Sequence, residues 1–282
     1  MLQPAYLPWR PSPFLKLSAA MHVGAGVGAV LAPQLWPLWL GAVVADHTTA
    51  AAAGLLPRSR LLGPNLTRLP PAAAARGEIA LTFDDGPEPE VTPRVLDLLD
   101  ATGQRASFFC IADRVRRYPA LAREIVQRGH LIENHTHTHP HLFAAYGPRG
   151  MAHQIDDAQH ALRDVTGRAP RFFRAVAGLR NPFLDPLLAR RGLRLASWTR
   201  RPYDTRTGDA AAVLGRLTRG LAAGDVLLMH DGHAARGASG KAVVLEVLPS
   251  LLEALRQRNL RSVTLQAGCV PAGAPAAMGA LA

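Results

Sequence analysis

From residue 77 onward, strand-like apolar runs alternate with segments of helical periodicity, and this alternation constrains the fold more than any other feature of the chain. The runs fall at Ile79–Phe83, Ala106–Cys110, His130–Ile132, Arg171–Arg174, Leu193–Ser197, Asp225–Met229 and Arg261–Thr264. Short apolar stretches of this kind, bounded by turn residues, read as buried strands. Between the first two, Thr92 is expected to cap a helix that Pro93 opens, with Val95, Leu96, Leu98 and Leu99 as its buried stripe and Gly103 as its stop. A second helix covers Ala120–Arg128, and a third carries Ile155, Ala158, Leu162 and Val165 on one face. About seven strand–helix units in one domain imply a parallel α/β barrel or an open α/β sheet, and alternation does not choose between them. In both, chemistry collects at the C-terminal ends of the strands.

The first 57 residues are different in kind. Leu17–Ala32 carries no charge, and Leu35–Leu56 carries only Asp46, with a break at Pro33–Gln34 flanked by Trp36 and Trp39. Each stretch is near the lower limit for a membrane-crossing helix, which predicts a hairpin that crosses twice. Asp46 and His47 are costly in hydrocarbon and argue against the second crossing. Gly24 and Gly28 suit close helix packing better than a dinucleotide loop, since no strand precedes them. A cleaved signal peptide ending near Ala32 and attachment to the membrane surface are the alternatives. The expected organisation is a membrane-associated helical hairpin over 1–57, a linker over 58–76 and a catalytic domain over 77–282.

The net charge of +11 invites a nucleic-acid partner, but lysine occurs only at 16 and 241 and the arginines are scattered rather than clustered with aromatics. Nucleic acid is therefore not expected; anionic membrane lipid is the better partner for such a charge. Arg10 and Lys16 precede the first apolar stretch and Arg58, Arg60 and Arg68 follow the second. Two crossings would then place both termini in the cytoplasm, at the inner membrane, whereas a single crossing would place the domain on the periplasmic side. Cys110 and Cys269 are too few for a disulfide framework.

Two adjacent acids, Asp84 and Asp85, follow the first strand and precede the turn Gly86–Pro87. At a strand-end turn both can reach one cavity. In Asn134–His139, His135 and His139 are four apart, so a helical turn would put them on one face as a metal pair requires, with His137 opposite and His141 at the rim. Two imidazoles and a carboxylate leave coordination positions open, the mark of a catalytic metal site. The second acid is then the base for an attacking water.

Thr82–Pro87 and Asn134–Pro140 resemble the first two motifs of the polysaccharide deacetylase family (carbohydrate esterase family four, with the NodB homology domain), and the resemblance runs over roughly Gly77–Gln266. It implies a distorted (β/α) barrel of about seven units that removes acetyl groups from sugars. It further implies Asp84 as the general base, and Asp85, His135 and His139 as ligands of one divalent metal ion. Zinc suits that donor set best, with cobalt, nickel or iron as alternatives. Arg174–Gly178 matches the third motif with Val176 in place of proline and Ala177 in place of the usual aromatic, so Arg174 would orient Asp84 and the backbone at Ala177 would face the oxyanion. Asp204 sits where the family's late aspartate supports the catalytic histidine, although Thr205 replaces the tryptophan after it. Leu228–Asp231 matches the fifth motif, with His230 protonating the leaving amine, Leu228 lining the acyl pocket and Asp231 as a turn acid. The substrate class implied is an N-acylated glycan, polymeric or lipid-linked; the competing expectation is a membrane-anchored glycan-binding protein with impaired catalysis.

Overall fold

A computed structural model of the chain describes residues 8–270; residues 1–7 and 271–282, the outer ends of the first and last expected units, lie outside the described residues. Seven parallel strands carry the domain: β1 (Glu78–Asp84), β2 (Ala106–Cys110), β3 (Leu131–Asn134), β4 (Phe172–Phe173), β5 (Arg194–Leu195), β6 (Val226–His230) and β7 (Arg261–Ser262). They are ordered β5-β4-β3-β2-β1-β6, with β7 also on β1. Strand β1 is buried along its whole length, as a strand covered on both faces should be. Its alternate residues Ile79, Leu81 and Phe83 face an outer core against helices Thr92–Ala101 and Val243–Gln257, where Phe83 stacks on Phe108 at 5.0 Å. Ala80 joins Phe109, Phe172 and Val226 in a second core inside the sheet, and Thr82 and Asp84 share that inward face.

The sheet curls into the distorted barrel that the resemblance implies. Thr199 and Arg200, just past β5, donate their N–H groups to Val226 O at 2.9 and 3.2 Å, and Leu228 N–H returns a bond to Arg200 O at 3.0 Å. Low in the barrel β7 fills the gap between the starts of β1 and β2, through Val263 N–H to Ile79 O at 2.9 Å and Arg105 N–H to Ser262 O at 3.1 Å.

Residues 58–76 do not behave as the expected free linker. Leu66 N–H donates to Leu195 O and Ser197 N–H donates to Leu66 O, both at 2.9 Å, while Leu69 N–H reaches Gly224 O at 2.8 Å. Leu62, Leu69 and Ala73 are buried. The segment seals the seam between β5 and β6, because β5 is too short to satisfy the buried backbone groups along that edge. Thr92 also departs from expectation. It is the first residue of its helix rather than a side-chain cap, and its hydroxyl is spent on Asp231 at 2.6 Å.

Ahead of the barrel stand two helices, α1 (Pro13–Leu31) and α2 (Trp36–Leu55), joined by a single turn at Pro33–Leu35. Ser12 caps α1 through Leu15 N–H at 3.2 Å. Gly28 lets the two helices meet, since a Cβ there would sit 2.5 Å from the Trp39 ring; Gly24 faces open space, so only half of the small-residue pair packs. The open end of the hairpin docks on the domain through Ser12 Oγ to Leu61 O at 2.6 Å and Arg180 N–H to Gly54 O at 3.1 Å. Elsewhere Leu17, Val23, Val30, Leu31, Leu38 and Val44 are exposed. Among the described residues α1 alone is long and apolar enough to cross a membrane. The expected second crossing is not matched by α2, whose Asp46–Thr49 stretch breaks its apolar character.

Candidate active site

Each strand end delivers one part of the site. Asp84 ends β1 and His230 ends β6, and the two are register partners on adjoining strands. Asp85, the next residue, adopts φ 72°. That left-handed step ends the strand's alternation and turns the second carboxylate toward the same cavity as the first.

His135 and His139 reach Asp85 from the loop after β3, but not on the expected helical turn. Residues 135–140 are irregular, with left-handed Thr136 (φ 68°) and His139 (φ 57°). Local hydrogen bonds set this path: Asn134 Oδ1 accepts from Thr136 N–H at 2.9 Å, and Thr136 Oγ1 accepts from His139 N–H at 3.0 Å. The result is the pairing that a helix would have produced. Asp85 Oδ1 lies 3.3 Å from His135 Nε2 and 3.2 Å from His139 Nε2. His137 takes no part in this cluster.

The donor set fits a divalent ion. Asp85 Oδ1 is buried without a hydrogen bond, and three donor atoms of the right chemistry face one point. His135 Nδ1–H donates to Arg174 O at 2.8 Å, which leaves the Nε2 lone pair for the cluster. Burial, with His135 beside it, pushes His139 down to about 4, so it is a neutral ligand at neutral pH. Burial opposes ionisation of Asp85, yet the imidazoles of His135, His233 and His139 hold its carboxyl well below the usual range.

Arg174 is fully buried and locked on every side. Its guanidinium donates to Asp84 Oδ1 at 2.5 Å, Thr82 Oγ1 at 2.9 Å, Ala196 O at 3.2 Å and Ser197 O at 3.0 Å, and lies 3.9 Å from the Phe109 ring centroid. Asp84 is thereby fixed through one oxygen, while its other oxygen lies 3.9 Å from His135 Nε2. Asp204, also buried, accepts from His230 Nδ1–H at 2.7 Å and from His230 N–H at 2.8 Å. Burial alone would lower the His230 pKa, but the carboxylates of Asp204, Asp84 and Asp85 hold it up to about 9. Ala177 is exposed with φ 54°, strained for a residue with a Cβ. Leu228 points into the barrel beside Thr82, two residues before His230.

A chitooligosaccharide deacetylase of Azorhizobium caulinodans is 33% identical over 191 residues, which span 65% of this chain and 90% of that protein. The chain belongs to the polysaccharide deacetylase family. The family's sequence signature matches residues 72–196. A peptidoglycan-N-acetylglucosamine deacetylase of Bacillus cereus is 31% identical across 66% of this chain and 85% of that one. Among solved structures, a family 4 carbohydrate esterase from Streptomyces lividans, in complex with acetate, is 31% identical with a TM-score of 0.61, over 68% of this chain and 95% of that one. As a polysaccharide deacetylase the chain is a hydrolase.

One residue at this deacetylase site escaped the reading of the sequence, and so did the burial of another. His233 Nδ1–H donates to Asp85 Oδ2 at 3.1 Å, while its Nε2 accepts from Arg114 at 2.8 Å. Nothing local marks it, because the contact spans 148 positions of chain. Asp231, expected as a turn acid, stands in the bend after β6 and is buried, and burial pushes its carboxyl up to about 7. It lies against Gly86, where a Cβ would approach its carboxylate to 2.2 Å, so it clamps the turn that aims Asp84 and Asp85. Ala177 stands in place of the third-motif aromatic. Next to it, Pro57, at the exit of α2, packs with Trp198 against Gly178.

The His230–Asp204 pair carries a pH prediction. An imidazolium must be protonated to act as an acid, so activity should fall as pH rises through the His230 pKa. Asp204→Asn removes the strongest force holding that pKa up, and the alkaline limb should move toward the ordinary histidine value of about 6.5. A pH–kcat/KM profile whose alkaline limb stays in place in this variant would contradict the coupling.

Proposed function

We propose that the chain removes the acetyl group of an N-acetylated amino sugar by metal-assisted hydrolysis. The observation that supports it most is the opposition of two held groups, Asp84 on Arg174 and His230 on Asp204, around the Asp85–His135–His139 cluster. Asp84 takes the proton of the attacking water, because Arg174 holds it aimed at the cavity. His230, charged by its Asp204 pairing, returns a proton to the departing amine. The backbone at Ala177 faces the developing oxyanion, and Leu228 closes the acyl pocket. Asp85, His135 and His139 hold the divalent ion, with zinc the best match to two imidazoles and a carboxylate. Bound there, the ion supplies Lewis acidity to the acyl carbonyl and to the water.

The relatives' names point to chitooligosaccharide and peptidoglycan N-acetylglucosamine as substrate chemistry. The hairpin adds membrane attachment, with 1–57 as its anchor and 77–282 as the catalytic unit. Among the described residues α1 alone is apolar enough to cross, and a single crossing with Arg10 and Lys16 kept in the cytoplasm favours a domain on the periplasmic side.

Acetate release from N-acetylglucosamine oligomers and from lipid-linked N-acetylglucosamine tests the activity; release from neither would sink it. A C-terminal alkaline phosphatase fusion should be active and a fluorescent-protein fusion dark in intact cells. The reverse pattern would put the domain in the cytoplasm.

A further inference from the structure

Halfway along the hairpin, far in sequence from the strand-end site, lies a second cluster with the same donors: His22 on α1, and Asp46 and His47 on α2. One donor atom from each lies within 4.8 Å of the others, as in the Asp85–His135–His139 set. We propose that His22, Asp46 and His47 form a second divalent-metal site, which clamps α1 to α2.

The two imidazoles face each other with Nε2 atoms 3.1 Å apart. Donors bound to one tetrahedral ion at about 2.0–2.1 Å are separated by roughly this distance. The tautomer of His22 is set independently. Its Nδ1 lies 2.8 Å from Ser18 O, a carbonyl that can only accept, so the proton sits on Nδ1 and Nε2 presents a lone pair to the cluster. Asp46 is oriented by the same residue, because Ser18 Oγ donates to Asp46 Oδ2 at 2.7 Å. Ser18 therefore serves two ligands at once, the carbonyl for His22 and the hydroxyl for Asp46, in the manner of the outer groups around a metal site.

The setting makes an uncompensated cluster expensive. Val23, Val27, Leu40 and Val44 on the same two helices are exposed and apolar. The Asp46 side chain is only 14% exposed, and among the described residues its one ion-pair contact is His22 at 3.9 Å. An ionised carboxylate in such surroundings requires a cation, and the lysines and arginines near the hairpin stand at its open end. A divalent ion satisfies the carboxylate and both lone pairs together. The His22 side chain is 38% exposed, so an ion can reach the cluster from outside the hairpin.

The site is separable from the strand-end one by experiment on the full chain in detergent. After stripping and reloading with zinc, the Asp85→Ala/His139→Ala chain should keep one equivalent of metal. Adding His22→Gln/His47→Gln should remove it. Cobalt in place of zinc should give the absorption of a tetrahedral ion in the first chain and not in the second. In the otherwise unchanged protein, His22→Gln/His47→Gln should lose one equivalent while retaining deacetylase turnover, which also shows that the chain is folded. No metal in the Asp85→Ala/His139→Ala chain would mean that His22 and His47 merely share a proton, and would overturn the proposal. So would metal that persists after both hairpin histidines are replaced. If the strand-end site itself holds no metal, the unmodified protein binds one equivalent that His22→Gln/His47→Gln abolishes, so the two readings fail separately.

Discussion

Asp85→Ala, His135→Ala and His139→Ala should each lose the strand-end metal and bring deacetylation down by about a thousandfold or more. Among the described residues the cluster has three donors and no fourth, so removing any one leaves two bonds, too few for a catalytic ion. The Lewis acid contributes several kcal/mol to such a reaction, and each 1.36 kcal/mol is about tenfold in rate. His139 is the most informative position. It is pushed down to about 4 and is neutral already, so its replacement removes a ligand without disturbing a charge. Metal content and acetate release measured on the same preparations decide the matter; a variant with unreduced zinc at this site removes that residue from the ligand set.

Asp84→Asn should separate from those three. Metal content should be unchanged while turnover drops by roughly 10²- to 10⁴-fold, the usual contribution of a general base. Asparagine is the right probe because Arg174 is fully buried and, among the described residues, Asp84 is its only salt-bridge partner. The amide oxygen can still accept from the guanidinium. Alanine would leave the buried charge unpaired at a cost of about 3–5 kcal/mol and confuse catalysis with stability. Turnover within a few-fold of the unmodified chain, with metal still bound, would remove Asp84 from the role of base.

Much of this site could be read along the chain. Asp84, Asp85, His135, His139, Arg174 and His230 stand at or just past the ends of apolar runs, and strand ends in a parallel α/β domain share one face. Apolar composition and the break at Pro33–Gln34 marked two N-terminal helices, and α1 and α2 are there, although α2 is not apolar enough for the expected second crossing. At the site, the assumption that failed was local. A four-residue spacing of histidines suggested a helical turn, whereas left-handed Thr136 and His139 bring the rings together on an irregular loop. Spacing reports that two side chains can meet, not by which backbone path.

Periodicity in the chain reports which side of an element is covered, because burial acts residue by residue on a strand or helix. Strand–helix alternation, the two acids, the histidine pair and the apolar hairpin were legible for that reason. What covers each face depends on closure of the barrel, which brings together residues far apart in the chain. Only closure sets His233 on Asp85, buries Asp231 under Thr92 and Gly86, and draws residues 58–76 into the seam beside β5. Those contacts satisfy backbone groups and charges that the fold itself removes from water, so no pattern in the neighbouring residues announces them.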